Sequence, residues 1–238
     1  MQAIADPHCH TTASDGMVTP RQLVTAAKEA GLDLIAICDH DTMRNAAEVR
    51  DRGEEIGLGV VMGQEITTRF PAKTHCMGWF LEKPVRSSMS LEDTVDAIHD
   101  QGGLAVLPHP FMPTYFASCQ RGMLESLIEH RRVDGIEVRH TAPMTAGRQR
   151  ELEAFYAQHR EQLGAAIGSS DSHFGRFDIG RAVTRFEGTT VADFRRAVEA
   201  GATEAARGEP KHVPLDQMAL QQWRSLVLLP LRRVTHQL

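Results

Sequence analysis

With 238 residues, 42% of them hydrophobic and 24% charged, the chain can bury one large core, which sets aside intrinsic disorder and admits a single α/β domain. A formal net charge of −5 argues against the broad basic surface that duplex DNA or an anionic membrane requires, so any nucleic acid would have to bind locally, in one cleft. No basic leader with an apolar core opens the chain and no apolar stretch approaches a membrane span, so the expectation is a cytoplasmic protein without a membrane partner.

The elements alternate. A strand begins at Ala3 to Ala5, and a helix starts at Pro20 behind the capping residue Thr19 and stops near Gly31. Leu32 to Cys38 is an almost unbroken apolar run, as in a strand buried on both faces, followed by a polar helix from about Met43 to Ile56. Gly59 to Met62 gives a third strand and Thr74 to Phe80 a fourth, reached through the loop Arg69-Phe70-Pro71-Ala72-Lys73. Ser90-Leu91-Glu92-Asp93 has the form of a capping box and opens a helix that Gly102-Gly103 ends. Leu104 to Leu107, Gly135 to Val138 and Gly164 to Gly168 complete seven strands, with helices around Met123 to Arg131 and Thr145 to Gln162 between them. This alternation predicts parallel pairing through βαβ crossovers in a closed or nearly closed barrel, with an open doubly wound sheet as the alternative. After the strand-like Arg181 to Phe186 and a helix over Val191 to Ala200, Arg207-Gly208-Glu209-Pro210 reads as a linker. The expected division is a barrel over 1–206 and a linker with a tail helix over 207–238. That tail carries Trp223, Leu226, Val227, Leu228 and Leu229 beside Arg224, Arg232 and Arg233, which suits packing on the domain's own surface, or else a homo-oligomer contact.

Histidines and carboxylates recur at the ends of the apolar runs. His8 and His10 stand two apart, so an extended chain points both imidazoles to one face, a clamp for a metal. Asp15, His40, Glu65, His75, His109, Asp171 and His173 follow, and this mixed set exceeds what one ion can take, which predicts a multinuclear centre at one end of the barrel. His99, His130 and His159 lie within helical patterns and are set aside as surface residues. The scattered Cys9, Cys38, Cys76 and Cys119 support neither a disulfide framework nor a zinc knuckle and read as small buried fillers.

Asp6-Pro7-His8-Cys9-His10, Ser14-Asp15-Gly16, Asp39-His40-Asp41-Thr42, Gly63-Gln64-Glu65, Pro108-His109-Pro110 and Ser170-Asp171-Ser172-His173, in this order, resemble the motifs of the PHP (polymerase and histidinol phosphatase) family of metal-dependent phosphoesterases over about residues 2 to 187. The resemblance implies a distorted seven-stranded β/α barrel, TIM-barrel-like, that holds two or three divalent ions and hydrolyses phosphate esters. It assigns His8, His10, Glu65 and Asp171 to one ion, Glu65 with His75 and His109 to a second, and Asp15, His40 and His173 to a third. Better known small-phosphatase members carry a long helical insertion where only Met77 to Pro108 stands here, so the cap over the site is missing or supplied elsewhere.

Such ions activate water for attack at phosphorus, with Asp171 and His173 orienting it and His140 donating a proton to the leaving oxygen or binding phosphate. Glu137 is expected to orient its neighbours, and Asp39 or Asp41 to support the ligand imidazoles. Arg139, Arg176 and Arg181 are the candidate phosphoryl contacts. The expected activity is hydrolysis of a small phosphomonoester such as a nucleotide or sugar phosphate, with Mn, Fe or Zn as the metal. A single-strand exonuclease on the same centre is the second reading, disfavoured by only two Trp and two Tyr, and a regulatory module without catalysis the third, disfavoured because no ligand position is lost.

Overall fold

In the computed structural model, residues 1–70, 73–113, 117–229 and 231 are described. Pro71 and Ala72 of the expected loop, and Arg232 and Arg233 of the tail, lie outside them. The strands are β1 (Gln2–Cys9), β2 (Leu34–Ile37), β3 (Gly59–Thr67), β4 (His75–Trp79), β5 (Leu104–Leu107), β6 (Gly135–His140), β7 (Ala165–Ser169), β8 (Ala182–Glu187) and β9 (Thr203–Arg207). The helices are α1 (Pro20–Glu29), α2 (Ala46–Ile56), α3 (Leu91–His99), α4 (Arg121–His130), α5 (Ala146–Gln158), α6 (Arg160–Leu163), α7 (Val191–Glu199) and α8 (Leu215–Trp223).

One sheet of nine strands, ordered β7-β6-β5-β4-β3-β2-β1-β8-β9, curls into a nearly closed barrel. This corrects the expected seven strands. Arg181 to Phe186 does form a strand, antiparallel to β1, and Thr203–Arg207 pairs antiparallel with it in turn, so Arg207 ends a strand and does not begin a linker. The pairing is mixed and not parallel throughout. No helix separates β3 from β4, and the short connection forces a hairpin; β4 therefore runs against both β3 and β5.

The barrel's interior is a cluster that includes Ala3, Ala5, Leu34, Ala36, Cys38, Val61, Met77, Trp79, Val106 and Ile167. Two outer layers flank it, one filled by α3, α4 and α5, the other by α1 and α2. The α1 helix begins with a full capping box, Thr19 and Gln22 each satisfying the other's backbone N–H, with Pro20 at the first position. Ser90 caps α3 by accepting from Asp93 N at 3.0 Å.

Closure uses side chains where the ladder stops. Thr184 Oγ1 on β8 accepts from Gly168 N at 2.9 Å and donates to Gly168 O at 2.8 Å, and Thr203 Oγ1 on β9 donates to Ala166 O at 2.7 Å. Gly168 is required there, because a Cβ would stand 2.2 Å from Val183 O. Beyond the seam, at the opposite end, Cys9 and Ser172 form a parallel bridge: His10 N donates to Ser172 O at 2.8 Å and Ser172 N to His8 O at 3.0 Å. The β1 strand thus contacts β8 at one end and the segment after β7 at the other.

Candidate metal centre

Strand alternation carries most of the candidate ligands to one end of the barrel. Successive side chains of a strand face opposite ways, so the interior positions of β2 (Leu34, Ala36, then Cys38) continue to His40, those of β3 (Val61, Gly63) to Glu65, and those of β7 (Ala165, Ile167, Ser169) to Asp171. On β4 the interior row is Trp79, Met77 and His75, and because this strand is reversed its first residue, not its last, meets the site.

Two strands need an irregularity to do the same. On β1, Ala3 and Ala5 face inward, which would turn His8 and His10 outward; a shift of register between Asp6 and Cys9 reverses the faces, leaving Cys9 in the outer layer and both imidazoles inside. After β5, whose Leu104 and Val106 face inward, His109 adopts φ +30° and turns its ring into the barrel. Asp171 (φ +51°) and Asp41 (φ +54°) are also left-handed, a cost of order 1–3 kcal/mol each that their surroundings must offset. Asp15 sits in the loop between β1 and α1, where a Cβ on the following Gly16 would meet the His10 backbone at 2.7 Å.

Glu65 is the hub. Its Oε1 lies 2.8 Å from His75 Nδ1 and 2.9 Å from His109 Nε2, and its Oε2 lies 3.1 Å from His40 Nδ1, 3.3 Å from His8 Nε2 and 3.4 Å from His10 Nε2. Asp171 Oδ1 is 3.0 Å from His10 Nε2 and 3.4 Å from His8 Nε2. Asp15 Oδ1 stands 3.2 Å from His173 Nε2 and 3.7 Å from His40 Nε2. Three groups of converging atoms result: His8, His10, Glu65 and Asp171; His10, Asp15, His40 and His173; and His40, Glu65 and His75. These groups take in eight of the nine sequence candidates, with His10, His40 and Glu65 each shared between two groups, and the ninth, His109, meets them through Glu65 Oε1.

The donor set fits divalent ions. Ring nitrogens Nε2 of His8 and His10 face each other at 3.1 Å, and Asp15 Oδ1, Glu65 Oε2 and His40 Nδ1, which face the same space, are buried without a hydrogen-bond partner among the described residues. Buried polar atoms left unpaired in such number are costly unless a cation accepts their lone pairs. Without one, the groups polarise each other. Burial alone would raise the Glu65 carboxyl, but His75, His40 and His8 hold it well below the usual range. Burial likewise opposes charge on His173, yet Asp15 and Asp171 push it up to about 10. His40 is drawn down to about 4 by burial, which outweighs Glu65 and Asp15.

Around this set lies a frame of hydrogen bonds. Glu137 Oε1 accepts from His8 Nδ1 at 2.8 Å and from the Ser169 hydroxyl, and its Oε2 accepts from His109 N at 2.6 Å. The His8 bond fixes which ring nitrogen faces Glu65 and Asp171. Asp39 accepts from Thr11 N, Thr11 Oγ1 and Ser14 Oγ, so it shapes the loop that carries Asp15 and not an imidazole; Asp41 Oδ1 accepts from Thr67 N. Two further carboxylates left out of the sequence reading belong to the frame. Asp6 accepts from Ser170 N and Gly180 N, with burial raising it to about 7, and Asp178 accepts from Ser172 Oγ and His173 N.

A family model for the PHP domain matches residues 6–205. The chain belongs to the PHP domain family. Among its relatives, an uncharacterized protein of Methanocaldococcus jannaschii is 34% identical over 145 residues, which is 56% of this chain and 80% of that protein. A 5'-3' exoribonuclease of Haemophilus influenzae is 31% identical over 102 residues, 42% of this chain but only 37% of that enzyme. Among solved structures, a two-domain protein of Bacteroides vulgatus containing a predicted PHP-like metal-dependent phosphoesterase superposes with a TM-score of 0.74 at 22% identity, covering 94% of this chain and 70% of that one, a likeness of fold.

Beside the PHP centre, a cavity of about 650 Å³ has Arg139, Arg150, Arg181 and Arg207 in its wall, together with His140 and Thr141. It abuts the centre through Thr141, whose hydroxyl donates to Ser170 O at 2.6 Å, next to Asp171. Arg139 is ion-paired with Glu153 at 2.8 Å. Arg176 stands apart, exposed, stacked on Phe177 and lining a different cavity with Arg21. His140 Nε2 lies 3.2 Å from Pro110 O and must carry the proton of that bond, so in the neutral ring Nδ1 is an acceptor; burial lowers its basicity. Sequence reasoning did not single out Arg150 and Arg207, which lie on α5 and β9 far from any motif. All four cysteines are free and buried, their thiols pushed up by burial, as suits fillers. No described helix is long and apolar enough to cross a membrane.

Proposed function

We propose that this protein is a metal-dependent phosphoesterase acting on a small phosphomonoester. The observation that carries the reading is Glu65, fully buried, with five imidazoles within 3.4 Å and two further carboxylates in the surrounding groups. Divalent ions held there would acidify water, neutralise phosphoryl charge and align nucleophile with leaving group. His8, His10, Glu65 and Asp171, with His40, His75, His109, Asp15 and His173, are the residues to hold them. Glu137 keeps His8 in the tautomer that presents Nε2 to the centre. Asp171, whose side chain is 24% exposed where Glu65 is fully covered, stands where substrate enters, and His173 at its flank orients it. His140 lines the cavity with its Nε2–H engaged by Pro110 O and its Nδ1 buried, so it is not placed to donate to the leaving oxygen.

The cavity supports the small-ester reading. Its arginines can bind non-reacting anionic oxygens, and among the described residues its wall contains no Phe, Tyr or Trp on which successive bases would stack. The second reading, a single-strand exonuclease or phosphodiesterase on the same centre, draws support from the exoribonuclease of H. influenzae and from a phosphoribosyl 1,2-cyclic phosphate 1,2-diphosphodiesterase of Eggerthella lenta, 34% identical over 83 residues. The test is a turnover screen of the purified protein with Mn, Zn or Fe added separately, against nucleotides, sugar phosphates and a short 5'-phosphorylated oligonucleotide. Phosphate released from one small ester class is the expected result. Shortened oligonucleotide alone would put the exonuclease first, and silence with every metal would sink the catalytic reading.

A further inference from the structure

The C-terminal tail, beyond the residues matched by the family model, contacts the metal centre with an unexpected side chain. In α8 the buried residue is Gln221, 7% exposed, while Leu215, Met218, Leu220 and Trp223 of the same helix face outward. A helix docked for hydrophobic packing buries its apolar stripe and exposes its amides. Over Leu215–Trp223 this one does the reverse, and the tail's buried apolar residue, Leu229 at 5% exposed, lies beyond α8.

What Gln221 meets explains the inversion. Its Nε2 donates to Asp15 Oδ2 at 3.0 Å, and its Oε1 accepts from Gln222 Nε2 at 3.0 Å, which fixes the amide with its donor toward the carboxylate. Asp15 Oδ1 is left pointing at His173 and His40 with no hydrogen-bond donor of its own. Arg224 Nη2, one turn on, donates to Ser14 O at 3.3 Å and pins the same loop. We infer that Gln221 is a positioning residue for the metal centre: from the tail it holds the Asp15 carboxylate in the rotamer that turns Oδ1 toward His10, His40 and His173, and so tunes the ion bound by that group alone. The tail thereby acts as a strap on one of the ion positions. The inference rests on the metal-centre reading above.

The test is metal binding by the full chain, stripped with chelator and titrated with Mn²⁺ alone, with stoichiometry from elemental analysis and affinities from competition with a chromophoric chelator. Gln221→Met keeps side-chain length and helix propensity but lacks the donor, and Gln221→Ala removes the side chain's reach and its donor while remaining a good helix former; Leu215→Ala on the exposed face is the control. In both Gln221 variants one ion is expected to weaken by about 10–100-fold, as for loss of a partner behind a ligand, while the remaining ions keep wild-type affinity. Mn²⁺ should also protect the tail from limited proteolysis in the wild type and less in Gln221→Met, since the coupling is reciprocal. Wild-type affinities in both variants, or equal weakening of every ion, would overturn the inference. Wild-type protein that binds no Mn²⁺ would overturn the metal reading itself, a failure visible before any variant is made.

Discussion

Glu65 makes the strongest case for a residue acting through its position. Its two oxygens serve two of the three groups of ligand atoms and contact His10 and His40 of the third, and among the described residues no other carboxylate is approached by so many imidazoles. In Glu65→Ala, bound metal measured by elemental analysis should drop and phosphoesterase turnover should vanish; full activity in that variant would refute the assignment. The arginines divide by location. Arg181→Ala, in the cavity beside the centre, should raise KM on the order of tenfold with kcat little changed, the loss of one charge-assisted contact. Arg176→Ala should match wild type in the same steady-state assay, because its guanidinium is exposed and stacked on Phe177. Residue by residue, the sequence made most of the ligands legible because they stand just beyond apolar runs, Asp15 in a loop and His75 at the start of β4 being the exceptions. It could not show Arg150, Arg207 or Gln221, whose places depend on where distant elements fold back.

At the scale of elements, the barrel depends on features that periodicity does not carry. The β1 bulge and the left-handed turn at His109 re-aim side chains that regular alternation would face outward, and each is a single-residue event in an otherwise ordinary strand. The closing seam is another. Gly168→Ala would place a methyl carbon against Val183 O at 2.2 Å, so it should destabilise the fold by about 1–3 kcal/mol, read as a lowered denaturant midpoint with an unchanged slope. A midpoint equal to wild type would show that β7 and β8 can part without cost. The antiparallel direction of β4, β8 and β9 was not foreseen because the expectation of parallel pairing came from strand and helix alternation; a hairpin replaces the helix between β3 and β4, whereas β8 and β9 pair antiparallel although α7 lies between them.

For the whole molecule, the centre links metal, protons and stability. In the metal-free protein His173 is held up to about 10 from 6.5, burial being outweighed by Asp15 and Asp171, and His8 is raised too, by Asp171, Glu65 and Glu137 against burial. A raised folded-state value contributes stability that is complete below the unfolded value and is lost as pH rises through the folded one. Metal-free protein should therefore lose thermal stability between pH 6.5 and about 10, and added Mn²⁺ should restore it while releasing protons, since only neutral imidazole is a ligand. Melting curves with and without chelator across that range check both signs; stability that stays flat with pH in the metal-free protein would contradict the account. The sequence by itself determined the chemistry of the centre, because the kinds of ligand and their placement at strand ends are local properties of the chain. Only the tertiary structure decided which ligands share a group, how the barrel closes, which arginines line the cavity and that Gln221 reaches Asp15, because each joins atoms from segments far apart in sequence, and no local periodicity records such a meeting.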